Sequence, residues 1–178
     1  IEGRIRKDDL RIECLGALDE LNAFLADTRA ALLQSQTAKQ KSRSAQIIGA
    51  LQKELGDALG AFVSSGVMSS PAAGGKKTRS ARDSSQEEKT ASLPTTAQCE
   101  TWIAELEKKQ PVQGFIQTWT NPGAVKLNIS RTVCRRAERC MAGLGIADPG
   151  YLPLLTWLNR LSDLLFLLAA AEEQDHAS

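Results

Sequence analysis

Apolar residues recur at intervals of three and four along most of this chain, and no segment alternates apolar with polar residues long enough to read as a strand. Over 15–33, Leu18, Leu21, Leu25 and Leu32 keep helical spacing, with Asp19, Glu20 and Asn22 near the start as an amphipathic helix requires. A second helix is predicted over 44–64, where Ile47, Ile48, Leu51, Leu55, Ala58, Leu59 and Phe62 hold one stripe and Ser44 offers an N-cap. Cys99, Trp102, Ile103 and Leu106 predict a short third helix over 95–109, which Pro111 stops. The fourth is predicted over 124–144 with Gly145 as its C-cap. The fifth follows Asp148-Pro149-Gly150 and covers 152–173. The prediction is therefore all-α, with helices packed around shared leucine stripes.

Two stretches depart from this pattern. Segment 65–94 is rich in Ser, Gly, Lys, Arg and Glu, holds Gly74-Gly75 and Ser84-Ser85, and reads as a disordered surface insertion. Its basic run Lys76-Lys77-Thr78-Arg79 reads as solvated loop or docking patch. Segment 114–120 reads as an extended connector, and Asn121-Pro122-Gly123 as a turn.

Length changes the picture little, since 178 residues suit one domain spanning 1–178. At 42% hydrophobic and 24% charged, wholesale disorder and collagen-like structure are disfavoured. A formal net charge of +1 supplies no global field toward nucleic acid or anionic lipid, so neither is an expected partner. No apolar run is read as long and uncharged enough to cross a bilayer, and no signal peptide is recognised. Ile1-Glu2-Gly3-Arg4 reads like a protease site used to trim expression tags, so the natural N-terminus is expected upstream.

The candidate chemistry is narrowed by what is scarce. Cys14, Cys99, Cys134 and Cys140 form no CxxC pair and read as buried thiols in a reducing compartment. The single histidine, His176, lies in a polar tail, which argues against His-based nucleophilic or metal chemistry. On the fourth helix Ile129, Val133, Cys134, Ala137, Cys140, Met141 and Leu144 form a broad apolar arc expected in the core. Opposite them Arg131, Arg135 and Arg139 share one face with Glu138 and Asn128, and Arg136 flanks it. Guanidinium forks suit phosphate oxygens, so either a polyphosphate meets this face or it is solvated, with intrahelical pairs to Glu138. The last helix sets Asn159, Ser162, Asp163 and Phe166 opposite its leucines, fit for a structured partner or for a polar helix seam. Asp19, on the first helix, is placed to pair with a fourth-helix arginine.

Three strings, in order, carry a resemblance: ECLGALDELN at 13–22, SRTVCRRAER at 130–139 and LNRLSDLLF at 158–166. They resemble the signature blocks of the PduO-type ATP:cob(I)alamin adenosyltransferases. The resemblance implies a five-helix bundle assembled as a homotrimer, with ATP between neighbouring subunits. It implies transfer of the 5′-deoxyadenosyl group of ATP to the cobalt of cob(I)alamin, giving adenosylcobalamin and triphosphate. ATP, Mg2+ and cobalamin are the implied ligands, and a reductase and an adenosylcobalamin-dependent enzyme are implied partners.

Residue by residue, the resemblance implies that Arg131, Arg135, Arg136, Glu138 and Asn159 bind ATP, with Glu138 acting indirectly on its magnesium. Asp19 would pair with Arg131 across the subunit interface. Phe115 resembles the aromatic residue that displaces the lower axial ligand of cobalamin, so Arg131, Phe115 and Asp19 are the expected catalytic residues and Phe115 and Asn128 the expected cobalamin-binding ones. The chain departs from the family where Thr120-Asn121-Pro122-Gly123 stands for LeuProGlyGly, where Asn128 stands for a His, and in lacking a Gly- and Thr-rich triphosphate loop before Asp8. Those departures favour an alternative expectation, a relative acting as an ATP- or cobalamin-binding carrier, chaperone or sensor. Family members serve the mitochondrial matrix in eukaryotes and the cytoplasm in bacteria.

Overall fold

The computed structural model describes residues 9–34, 43–64, 94–109 and 118–177. The expected insertion at 65–94, apart from Pro94, and Phe115 lie outside the described residues. Five α-helices form: α1 (Leu10–Gln34), α2 (Arg43–Ser64), α3 (Ala97–Lys109), α4 (Pro122–Ala147) and α5 (Leu152–Ala177), with a 3-10 turn at Pro149–Tyr151 before α5. Among the described residues there is no strand.

Helix α1 starts five residues before its predicted first residue because Asp9 caps it. The Asp9 carboxylate accepts from Arg11 N at 2.9 Å, and its carbonyl accepts from the amides of Ile12 and Glu13 at 2.9 and 3.2 Å. The Arg11 guanidinium folds back onto the same carboxylate at 2.6 Å. That bond pushes the Asp9 pKa down from 3.8 to about 2.

The predicted turn at Asn121 is the N-cap of α4. Its Oδ1 accepts from Gly123 N at 2.7 Å and Ala124 N at 3.4 Å, and Pro122 stands at the first helical position, where no amide is needed. Gly123 allows a close approach: a Cβ there would lie 2.8 Å from Leu32 Cδ2 and 3.2 Å from Asn121 Oδ1. Gly145, expected to close α4, is instead buried inside it, because the helix stops only where Asp148 turns extended (φ −144°, ψ 111°). Asp148 N donates to Leu144 O at 2.8 Å, and its carboxylate accepts from Gly150 N at 2.8 Å to begin the 3-10 turn.

Helix α4 lies between α1 and α5, α2 packs on α1, and α3 packs on α5. This arrangement corrects the expected α4 core. The buried stripe is Leu127, Ser130, Cys134, Ala137, Met141 and Leu144, whereas Ile129 is 37% exposed and Val133 and Cys140 are half-buried. A helix gripped from two sides buries the strip that faces both neighbours, and Ile129 lies roughly 110° from its centre. Leu18, Leu21, Leu25, Ile48, Leu51, Leu55, Leu158, Leu161, Leu164 and Leu165 complete the core, each fully buried and contributing about 1.5–3 kcal/mol. Trp157 joins them, its Nε1 donating to Glu54 Oε2 of α2 at 3.0 Å.

The α1–α4 seam holds one buried polar cluster. Thr28 Oγ1 and Ser130 Oγ are 2.8 Å apart, and they reach the carbonyls of Lys126 at 3.2 Å and Phe24 at 3.3 Å. Pairing satisfies every hydroxyl, so the seam carries no orphaned donor. Ser162, expected to face a structured partner or a polar helix seam, is also buried and donates to Asn159 O at 2.8 Å.

The expectation about apolar length needs correction as well. By length and composition Pro149–Gln174 is long and apolar enough to cross a bilayer, and over half of that stretch is buried in the bundle. Its leucines run on two sides, toward α4 and toward α3, as a core helix requires.

Candidate active site

The α4 stripe that packs against α1 and α5 leaves its opposite side to solvent, and the expected residues stand there in order along the helix. Arg131 is half-buried and its Nε donates to Asn128 Oδ1 at 3.0 Å, one turn back. Arg135 Nη1 lies 2.7 Å from Glu138 Oε2, an i,i+3 ion pair of side chains 45% and 15% exposed. Across the groove, Asn159 Nδ2 of α5 donates to Glu138 Oε1 at 2.9 Å. Glu138 therefore joins the arginine ladder of α4 to the amide of α5.

Beyond this junction the two helices splay into a cleft of about 370 Å³, lined by Glu138, Arg139, Ala142, Leu155, Thr156 and Asn159. Arg139 has no ion-pair partner among the described residues. Ala142, Leu155 and Thr156 were missed as site residues. Ala142 lies four residues after Glu138, and Leu155 and Thr156 lie four and three before Asn159, so helical spacing is the signal that places them on the same faces.

Among the described residues two buried side-chain acceptors lack a hydrogen-bond partner: Asn22 Oδ1 of α1 and Glu138 Oε2. Glu138 Oε2 is ion-paired with Arg135 without the angle of a hydrogen bond, so its charge is met although its hydrogen-bonding capacity is not. With one oxygen paired to Arg135 and the other to Asn159, Glu138 suits an indirect role toward Mg2+ held by phosphates and water. Among the described residues no group of three His, Cys, Asp or Glu could hold a metal unaided.

The other expected residues fall as follows. Arg136 stands on the α1 side of α4 and is ion-paired with Glu20. Among the described residues α1 offers α4 two acidic partners, Glu20 to Arg136 and Asp27 to Lys126. Asp19 is exposed and has no hydrogen bond or ion pair among the described residues. Asp163, one turn past Asn159, is not among the cleft's lining residues and pairs with Arg160 at 3.3 Å. Phe166 packs edge-on against Trp119, with ring centroids 6.2 Å apart and planes at 88°. Burial lifts the thiol pKa of Cys14 and Cys99 to about 12 and that of Cys134 higher still, which fits core roles and no nucleophilic one.

Comparison with known proteins bears on this arrangement. Residues 1–172 match the family described as cobalamin adenosyltransferase. The chain is 34% identical over 167 residues to a cobalamin adenosyltransferase of Cupriavidus metallidurans, covering 93% of this chain and 76% of that one. It is 31% identical over 172 residues to the corrinoid adenosyltransferase PduO of Salmonella typhimurium, covering 97% of this chain but only 45% of that longer protein. A variant PduO-type ATP:corrinoid adenosyltransferase from Lactobacillus reuteri, solved with cobalamin and ATP, has the same fold. Its TM-score is 0.62 at 23% identity, over 97% of this chain and 83% of that one. A second variant of that protein, solved with ATP, gives a TM-score of 0.65 at 23% identity, over 97% and 84%. The helical bundle, the arginine face on α4 and a match over nearly the whole sequence agree, and the chain belongs to the cobalamin adenosyltransferase family.

Proposed function

We propose that this chain is an ATP:corrinoid adenosyltransferase, moving the 5′-deoxyadenosyl group of ATP to the cobalt of cob(I)alamin. The observation that carries the reading is the Arg135–Glu138–Asn159 junction, which sets cations, a largely buried carboxylate and an amide at one mouth of a cleft. Cobalt(I) supplies an electron pair to the 5′ carbon, the bond from that carbon to its oxygen breaks, and the pair leaves with triphosphate. No protein nucleophile is required, in keeping with the buried thiols of Cys14, Cys99 and Cys134 and with a single histidine, His176, in the last turn of α5. Arg131, Arg135 and Arg139 stabilise the charge that grows on the triphosphate, and Asn159 orients Glu138. Bound Mg2+ would neutralise phosphate charge, and Glu138 would act on it indirectly.

The trimer belongs to the same proposal. The exposed face of α1 carries Asp19, Ala23, Ala26, Ala30 and Leu33, the last 51% exposed, a smooth surface with one unpaired carboxylate. That surface supports docking of a second copy in which Asp19 meets Arg131. Phe115 and Asn128 are the proposed corrinoid contacts, and a one-electron donor is the proposed partner that delivers cob(I)alamin.

The test is anaerobic turnover with product analysis. Adenosylcobalamin and triphosphate forming in equal amounts is the expected result. Release of phosphate or diphosphate, or no new cobalt–carbon bond, would reject the reaction.

A further inference from the structure

We infer that Glu173, in the closing turns of α5, is a positioning residue that fixes the start of α4 and through it the corrinoid side of the site; the inference rests on the adenosyltransferase reading. Its carboxylate accepts Thr120 N at 2.9 and 3.0 Å, Asn121 N at 3.0 Å and the Thr120 hydroxyl. Next to it, Asn121 Nδ2 donates to Glu172 O at 2.9 Å. Thr120 and Asn121 precede α4, so no helix offers their amides a carbonyl, and Glu173 supplies the acceptor. The placement has a cost that calls for this compensation, since a carboxylate near a helix C-terminus opposes the helix dipole.

Asn121 is at once the residue held by α5 and the cap of α4. The clamp thus sets where α4 begins, and Asn128 follows roughly 10 Å further along the axis, bonded to Arg131. The other end of the α4–α5 pair is held independently, by the Asp148 corner and by Glu138–Asn159. Loosening the clamp therefore shifts the Asn128 end and spares the Glu138 end. This division is specific to Thr120 and Asn121, which supply a hydroxyl and a capping amide where the family has leucine and proline.

The test is equilibrium binding by calorimetry, with cob(II)alamin under anaerobic conditions and ATP measured separately, on Glu173→Gln, Thr120→Val and the double variant. Glutamine keeps the shape but offers one acceptor oxygen and turns an NH2 group toward donors. Glu173→Gln is expected to weaken cobalamin binding roughly tenfold while ATP affinity stays within about twofold. Thr120→Val is expected to do less, and to add nothing on top of Glu173→Gln, as a shared bond requires. Equal losses for both ligands, or no loss for either, would overturn the inference. If Glu173→Gln does not fold, Thr120→Val alone decides by the same split. A wild-type chain that binds both ligands but transfers nothing would sink the transferase reading while these affinities still judge the clamp; one that binds neither would overturn both.

Discussion

Replacing Asn159 by aspartate turns the donor to Glu138 into a second carboxylate at nearly the same place. With the two groups 2.9 Å apart, repulsion is about 6 kcal/mol at an effective dielectric of ~20 and about 1.4 kcal/mol in water. Glu138 is 15% exposed and Asn159 half-buried, so the expected destabilisation is about 2–4 kcal/mol. Side-chain rotation sets the lower figure: the substitution itself removes the hydrogen bond from residue 159, and Glu138 can swing away from the new carboxylate only by giving up its ion pair with Arg135. Asn159→Ala removes the donor without adding charge, so the gap between the two variants isolates the repulsion. Thermal unfolding is the first assay, where each kcal/mol is worth roughly 2–4 °C in a chain of this size. ATP titration is the second, and Asn159→Asp should lose more affinity than Asn159→Ala because it adds negative charge where phosphates are held. Equal melting temperatures and equal ATP affinities for the two variants would show that residues 138 and 159 do not meet, and the junction that carries the site would be refuted.

Other perturbations test separate parts of the molecule. Thr28→Val or Ser130→Ala should each cost about 0.5–1.5 kcal/mol in denaturant unfolding by removing the hydroxyl–hydroxyl bond while the remaining hydroxyl keeps its carbonyl acceptor, and the double variant should cost less than their sum. Gly123→Ala should lower stability by about 1–3 kcal/mol, because its Cβ would press Leu32 and the Asn121 cap; a neutral result would disprove the close approach. Burial holds the Glu54 pKa above its usual value, so this group's contribution to stability is fully present below the unfolded pKa and is lost as pH rises through the folded one. Glu54→Gln, which keeps an acceptor for Trp157, should therefore raise the melting temperature at neutral pH, with the gain vanishing as pH falls.

Much of the bundle was legible because leucines at three- and four-residue spacing define buried stripes regardless of neighbours, as Leu18, Leu21 and Leu25 do. The α4 arc was misjudged because periodicity finds an apolar side but not how two flanking helices divide it, which left Ile129 outside. Gly145 misled because glycine marks a helix end only where the backbone turns left-handed, and here it sits within the helix, where a Cβ would meet Leu152 Cδ2 only at an ordinary contact distance of 3.4 Å. Arg135, Glu138 and Asn159 were found through their motifs, yet their junction spans 21 residues and two helices, which no local pattern contains. Glu173 was invisible for the same reason, since its partners lie 52 and 53 residues away.

The arginine face is tested most directly by following the loss of cob(I)alamin absorbance anaerobically with ATP and magnesium, comparing wild type with Arg135→Ala. Transfer by the wild type that falls by orders of magnitude in the variant, at unchanged melting temperature, is the predicted result. Transfer that survives in Arg135→Ala would contradict the arginine face. ATP or cobalamin binding without any transfer would mark the chain as a carrier or sensor.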